Sequence, residues 1–97
     1  MSTFRLTHIA LDDLIKIWDY SARKWSENQA EKYYRQLMSS CSDLAMNPTL
    51  GKSYEILSQN IFGFRCGVHI IFYRNISKNE IEIERILHQR MDLKNKI

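Results

Sequence analysis

The chain has 97 residues, of which 44% are apolar, with one proline, three glycines and a net charge of +3. That length holds one hydrophobic core and excludes two, and that composition excludes a disordered chain. No apolar run approaches the ~20 residues that span a bilayer, and residues 1–6 lack the basic start and apolar stretch of a secretory signal, so no membrane role is expected and the expected setting is the cytoplasm.

Residues 3–7 alternate, which predicts a short strand with Phe4 and Leu6 facing inward. The period then changes. Leu11, Leu14, Ile15, Trp18, Ala22 and Trp25 follow helical spacing and predict a helix from about residue 9 to residue 24. Asp12 and Asp13 fall in its expected first turn, where the helix dipole favours them. Ser26, with Gln29 three residues on, signals the start of a second helix. Its expected apolar face is Ala30, Tyr33, Tyr34, Leu37, Met38, Cys41, Leu44 and Ala45. Asn47 precedes Pro48 and ends it, because a residue before proline avoids the helical region. The break near Trp25 is so short that the two helices must form an antiparallel hairpin.

After Gly51 the pattern turns to strands, at residues 62–66, 68–74 and 80–88, with turn chemistry at 75–79. The middle strand is apolar on both faces and is expected at the centre of the sheet. Strict alternation in the last strand puts Ile81, Ile83, Arg85 and Leu87 on one face and Glu82, Glu84, Ile86 and His88 on the other. The expected fold is α+β, a single domain over residues 1–97. An N-terminal strand leads into an antiparallel helix hairpin and then a three-stranded antiparallel meander, with the helices on one face.

The charge is uneven. Residues 1–60 carry seven Lys/Arg against seven Asp/Glu, whereas residues 61–97 carry seven against four. A modestly basic C-terminal third suits an acidic protein partner or a nucleic acid, and is too sparse for a free DNA-binding stripe. Cys41 and Cys66 fit neither a disulfide framework nor a zinc cluster and are expected as buried thiols. His8, His69 and His88 do not have metal-ligand spacing, and the chain has no HExxH, GxSxG, P-loop or dinucleotide turn; no cofactor or metal is expected. Arg85, set among aliphatic residues, demands a partner there. The residues favour a structural pair with a carboxylate or helix carbonyls over an arginine projecting into a concave surface. His88, Arg90 and Asp92 close the last strand, either as a polar exit or as a cluster beside Arg65 or His69 with phosphate-binding or acid–base capacity. The hairpin also carries more aromatics than its core needs. Tyr33 and Tyr34 are adjacent and cannot both face the sheet, which suggests a protein interface.

Taken together, these pieces resemble a known family. Ala10-x-x-Asp13-Leu14-x-x-Ile17-Trp18-x-Tyr20, followed by Trp25-x-x-x-Gln29-Ala30-x-x-Tyr33, resembles the first half of a ParE toxin of the RelE/ParE superfamily. Leu44-Ala45-x-Asn47-Pro48-x-x-Gly51 is similar to its helix exit. Arg65 and His69-Ile70-Ile71-Phe72-Tyr73-Arg74 are similar to its central strand, and Ile83-x-Arg85-Ile86-Leu87-His88-Gln89-Arg90-Met91-Asp92 to its last strand. The resemblance implies the toxin of a type II toxin–antitoxin pair, one that inhibits DNA gyrase and replication. It implies a ParD-like antitoxin whose tail wraps the toxin in a hetero-oligomer and whose DNA-binding segment alone reaches the operator.

The alternative is the RelE branch, a ribosome-dependent mRNA endonuclease, for which Arg65, Arg85 and His88 would be the catalytic candidates. Gln89 stands where one RelE-like type has tyrosine, no tyrosine follows Tyr73, and no dense lysine cluster occurs. The acid–base inventory is therefore incomplete for RNA cleavage, and the resemblance implies a non-enzymatic inhibitor. Arg85, His88, Arg90 and Asp92 are the expected target-facing residues. Trp18, Tyr33, Tyr34, Leu37, Arg65 and Arg74 are the expected antitoxin contacts.

Overall fold

A computed structural model describes residues 2–91 and Leu93. Strand β1 (Thr3–Leu6) is followed by helices α1 (His8–Lys24) and α2 (Glu27–Met46). A 3-10 turn at Pro48–Leu50 leads into β2 (Lys52–Ser53), β3 (Phe62–Cys66), β4 (His69–Ser77) and β5 (Glu80–His88). The strands form one sheet in the order β1-β5-β4-β3-β2. β4 is central, as its two apolar faces require. The neighbouring pairs β2–β3, β3–β4 and β4–β5 are antiparallel, and β1 closes the sheet parallel to β5. The α+β class, the helix hairpin and the meander are as the sequence predicts. The two-residue β2 was not expected, and β4 runs through Ser77 rather than ending at Arg74.

Local chemistry sets the element ends. Thr7 caps α1, its Oγ1 accepting the Ala10 N–H at 3.0 Å, and Ser26 caps α2 through Gln29 N–H at 3.1 Å. The β3–β4 turn needs glycine at Gly67, where φ is +61° and an added Cβ would lie 2.7 Å from the Tyr33 ring. Val68 belongs to this turn and not to the strand.

The core between helices and sheet joins Ala10 and Leu14 of α1, Leu37, Cys41, Leu44 and Ala45 of α2, and Ile71, Tyr73, Ile81, Ile83 and Ile86 of the sheet. Two expectations fail here. The stripe of α1 that packs inward is Ala10, Asp13, Leu14 and Ile17. Leu11 and Ile15, which follow the same helical spacing as Leu14, are 43% and 51% exposed, and Trp25 is exposed too. In β5, Phe72 lies opposite Arg85 but Tyr73 lies opposite Ile83, so Glu84 is an extra, bulged residue. The bulge resets the alternation. Ile86 joins Ile81 and Ile83 on the helix side, while Leu87 turns to the far face with Ile61, Ile70 and Phe72. Cys41 is buried, its thiol pushed up to about 12 mainly by burial, and Cys66 is only half-buried.

On the far face, Tyr54 and Leu57, from the loop between β2 and β3, pack over Ile61 and Phe72. Arg74 ties that loop down, donating to Ser58 Oγ at 2.7 Å and to the Gln59 carbonyl. Nearby, Arg5 pairs with Glu82 at 2.9 Å, and Glu84 Oε2 is buried without a hydrogen-bond partner among the described residues. Burial, then the adjoining Glu82 carboxyl, pushes Glu84 up to about 7, against the opposing pull of Arg74 and Arg5. The folded protein therefore holds this proton more tightly than the unfolded chain. The stability it contributes is complete below about 4.5 and is lost as pH rises through about 7. Glu84→Gln is expected to raise the melting temperature at pH 8.5 by more than at pH 5.5, as read by circular dichroism. An equal shift at both values would show that Glu84 does not carry this proton.

Candidate functional site

Strand β1 stops opposite Ile83, so β5 beyond that point has a free edge. Thr7 and α1 take it over. Thr7 N–H donates to the Ile83 carbonyl at 3.1 Å and Thr7 Oγ1 to the Glu84 carbonyl at 3.0 Å. Asp13, one and a half turns into α1, then accepts the Ile86 N–H on Oδ2 at 3.0 Å. The same carboxylate receives Arg85 as a fork, Nε to Oδ2 at 2.8 Å and Nη2 to Oδ1 at 3.0 Å. Their side chains are 20% and 9% exposed, so this is a largely desolvated pair. The structural reading of Arg85 is the one observed. Asp13 is not in the first helical turn, and its partner is a strand edge and an arginine rather than the helix dipole.

This pair lies at one end of an open cleft of about 840 Å³ between α1, the end of β5 and the β3–β4 turn. Its apolar lining includes Ile17, Val68 and Met91, with Ile86 and Leu87 of β5 at its floor, and its α1 side is Lys16, Tyr20 and Lys24. Lys24 Nζ bonds the Tyr20 hydroxyl at 3.0 Å and lies 5.7 Å from the exposed Trp25 ring.

At the turn side, Tyr33 crosses from α2. Its hydroxyl meets the Cys66 carbonyl at 3.1 Å, the Val68 N–H at 3.2 Å and His69 Nδ1 at 2.7 Å. His69 stands opposite His88 across β4 and β5, with the rings edge to face at 5.5 Å. Burial, then the His88 neighbour, lowers His69 to about 4, so at neutral pH it is an uncharged imidazole and a weak base. Burial likewise raises Tyr33 above the ordinary phenol range. His88 Nδ1 accepts the Arg90 N–H at 3.1 Å, which puts the proton of a neutral His88 on Nε2.

The expected site residues divide. Arg85, His88, His69 and Tyr33 share the cleft. Arg90 is exposed just past β5, and Asp92 lies outside the described residues. Arg65 is not with them. Phe64 and Cys66 pack on the helix side, so Arg65 between them faces away, and its Nε donates to the Gly67 carbonyl at 3.1 Å. The set Arg65, Arg85 and His88 is therefore not one site. Arg74 is also on the far face, holding the loop described above. Leu37 is 0% exposed and is a core residue, not a contact surface. Trp18 is half-buried and Tyr34 is exposed. Sequence reasoning missed Lys16, Tyr20 and Lys24 as a group, although their i, i+4, i+8 spacing on α1 marks one face.

Residues 4–93 match the family profile of the ParE toxin of the type II toxin–antitoxin system parDE. Over 92 residues the chain is 36% identical to Toxin ParE1 of Caulobacter vibrioides and 34% identical to Toxin ParE1 of Mycobacterium tuberculosis, covering 95% of this chain and 94% of each relative. In structure it is similar to a chain of the chromosomal ParDE toxin–antitoxin system of P. aeruginosa, with a TM-score of 0.76 at 19% identity, covering 91% of this chain and 96% of that one. It is also similar to a chain of the RelBE2 toxin–antitoxin complex of Mycobacterium tuberculosis, with a TM-score of 0.68 at 22% identity, covering 90% and 96%. The fold is thus that of the RelE/ParE superfamily, and within it the chain belongs to the ParE family of type II toxins.

Proposed function

We propose that this toxin acts by binding DNA gyrase and stalling replication, without catalysing a reaction, and that a ParD-like antitoxin neutralises it. The observation that carries the non-enzymatic reading is the commitment of the polar groups in the cleft. Arg85 is forked onto Asp13, Tyr33 and His69 hold the β3–β4 turn, and Arg65 is on the other side of the sheet. An RNA cleavage centre needs such groups poised for substrate. Membership of the ParE family supports gyrase as the target.

The antitoxin's footprint in this reading is the apolar outer stripe of α1, Leu11 and Ile15 with half-buried Trp18 at its side, and exposed Tyr34 on α2. Exposed aliphatic residues in a row on one helix face mark a protein interface. The complex is a hetero-oligomer that reaches operator DNA through the antitoxin. No helix among the described residues is long and apolar enough to cross a membrane, which accords with action in the cytoplasm.

The test is a supercoiling and DNA-cleavage assay with purified gyrase, relaxed plasmid and ATP. Free toxin is expected to abolish supercoiling and trap cleaved DNA, and added antitoxin to reverse both. Undiminished supercoiling at toxin excess would sink the reading. A second reading, mRNA cleavage on the ribosome, draws on the juxtaposition of His69, His88 and Arg85 in one cleft. Translating ribosomes that yield toxin-dependent mRNA fragments, lost in His88→Ala, would favour it instead.

A further inference from the structure

Helix α1 presents two unlike outer faces. At about 100° per residue, Leu11, Ile15, Trp18 and Ala22 lie along one line, and Lys16, Tyr20 and Lys24 along another, close to the opposite side of the helix. The first line is apolar and flanks the hairpin. The second borders the cleft. A single partner segment lying along α1 covers one line and leaves the other open.

The cleft has an apolar interior and a cationic border. Among the described residues that line the cleft, Lys16, Lys24 and Arg85 stand against one carboxylate, Asp13, which Arg85 already engages. Exposed Tyr20 and Trp25 stand at the α1 side, and Val68 at the turn side is 44% exposed. Exposed aromatics around an aliphatic hollow are the composition of a binding hot spot, and the volume of about 840 Å³ accommodates one or two large side chains. We infer that this cleft is the surface that grips the toxin's target: it receives an acidic segment of the target protein carrying a bulky aliphatic or aromatic side chain, while the antitoxin takes the opposite line of α1. The inference rests on the binding-protein reading above.

A protein segment fits better than a nucleic acid. A nucleic-acid strand calls for a continuous cationic groove along its backbone, but the border offers Lys16 and Lys24, and the cation inside, Arg85, is forked onto Asp13. Ile17, Val68 and Met91 offer an apolar wall that suits a side chain. Lys16 and Lys24 at the border suit carboxylates and steer their approach.

The test uses the full chain, purified gyrase and the antitoxin. Lys16→Glu combined with Lys24→Glu changes two surface side chains on α1 and should fold normally. It is expected to weaken gyrase inhibition by at least about tenfold, as loss of steering and of two border pairs implies, while antitoxin affinity stays within threefold, roughly the scatter of a surface change. Val68→Trp, which fills the cleft from an exposed turn position, should lose inhibition in the same way. If both variants inhibit gyrase as well as the wild type, the cleft is not the target surface. Lys16- and Lys24-dependent binding of a single-stranded oligonucleotide, with gyrase inhibition untouched by the double variant, also overturns the inference and favours nucleic acid. Failure of the wild type itself to affect gyrase is a different result and overturns the functional reading together with this one.

Discussion

Asp13→Ala is expected to destabilise the free toxin by roughly 3–5 kcal/mol, the usual loss when one member of a buried ion pair is removed. Two groups lose a partner at once. The Arg85 guanidinium, with a side chain only 20% exposed, loses the carboxylate that receives two of its N–H groups. The Ile86 N–H, at the strand edge that β1 no longer covers, loses its acceptor. A small domain has a total stability of only about 5–15 kcal/mol, so the variant loses a large share of it. Asp13→Asn keeps an acceptor for Ile86 and should lose less. Asp13→Leu combined with Arg85→Met removes both charges and should recover much of the loss, since an apolar pair of similar volume often replaces a buried ion pair at little cost. Urea denaturation followed by circular dichroism measures all three. A loss below about 1 kcal/mol for Asp13→Ala would mean that the pair behaves as a solvated surface bridge.

That pair also explains where the sequence misleads. Hydrophobic periodicity in α1 selects Leu11, Leu14, Ile15, Trp18, Ala22 and Trp25, but the stripe that faces the sheet is Ala10, Asp13, Leu14 and Ile17. A carboxylate sits among the inward residues because its partners, Arg85 and Ile86 N–H, are more than seventy positions away. No local pattern reveals them. The excess apolar residues then fall on the outside, away from the core. The demand that Arg85 be paired was legible from its aliphatic neighbours; the identity of its partner was not.

In the sheet, the boundaries of β3 and β5 follow the sequence closely because Gly67, Lys78 and Asn79 punctuate them. The side-chain faces of β5 do not follow, since a bulge at Glu84 breaks the period of two. The adjacent aliphatic pair Ile86-Leu87 was the available hint, being two neighbours that both need burial. A compensating irregularity near Ile76 in β4 restores the register, so Ser77 opposes Glu80 and His69 opposes His88. Counting back from a two-residue turn would have paired the histidines correctly. Tyr33 joining them from α2 depends on how helix and sheet dock, which periodicity does not specify, whereas the alternation of Phe64, Arg65 and Cys66 already turns Arg65 to the far face.

The largest expected effect on partner choice lies on the outer line of α1. Leu11→Asp combined with Ile15→Asp should weaken antitoxin binding by at least about 100-fold, or roughly 2.7 kcal/mol. Each aliphatic side chain is about half exposed in the free toxin, and covering the remainder is worth on the order of 1 kcal/mol apiece. Two carboxylates in their place add the penalty of desolvating a charge without a partner. The fold should be nearly indifferent, because neither residue belongs to the buried core, and aspartate costs only a few tenths of a kcal/mol more than leucine or isoleucine within a helix. Gyrase inhibition by the free variant should match the wild type, since the cleft is on the other side of the helix. The variant should therefore remain toxic in cells that express the antitoxin. Titration calorimetry with purified antitoxin and a thermal melt of the variant separate the outcomes. Affinity within threefold of the wild type would place the antitoxin on another surface, and a collapsed melt would show that Leu11 and Ile15 support the fold after all.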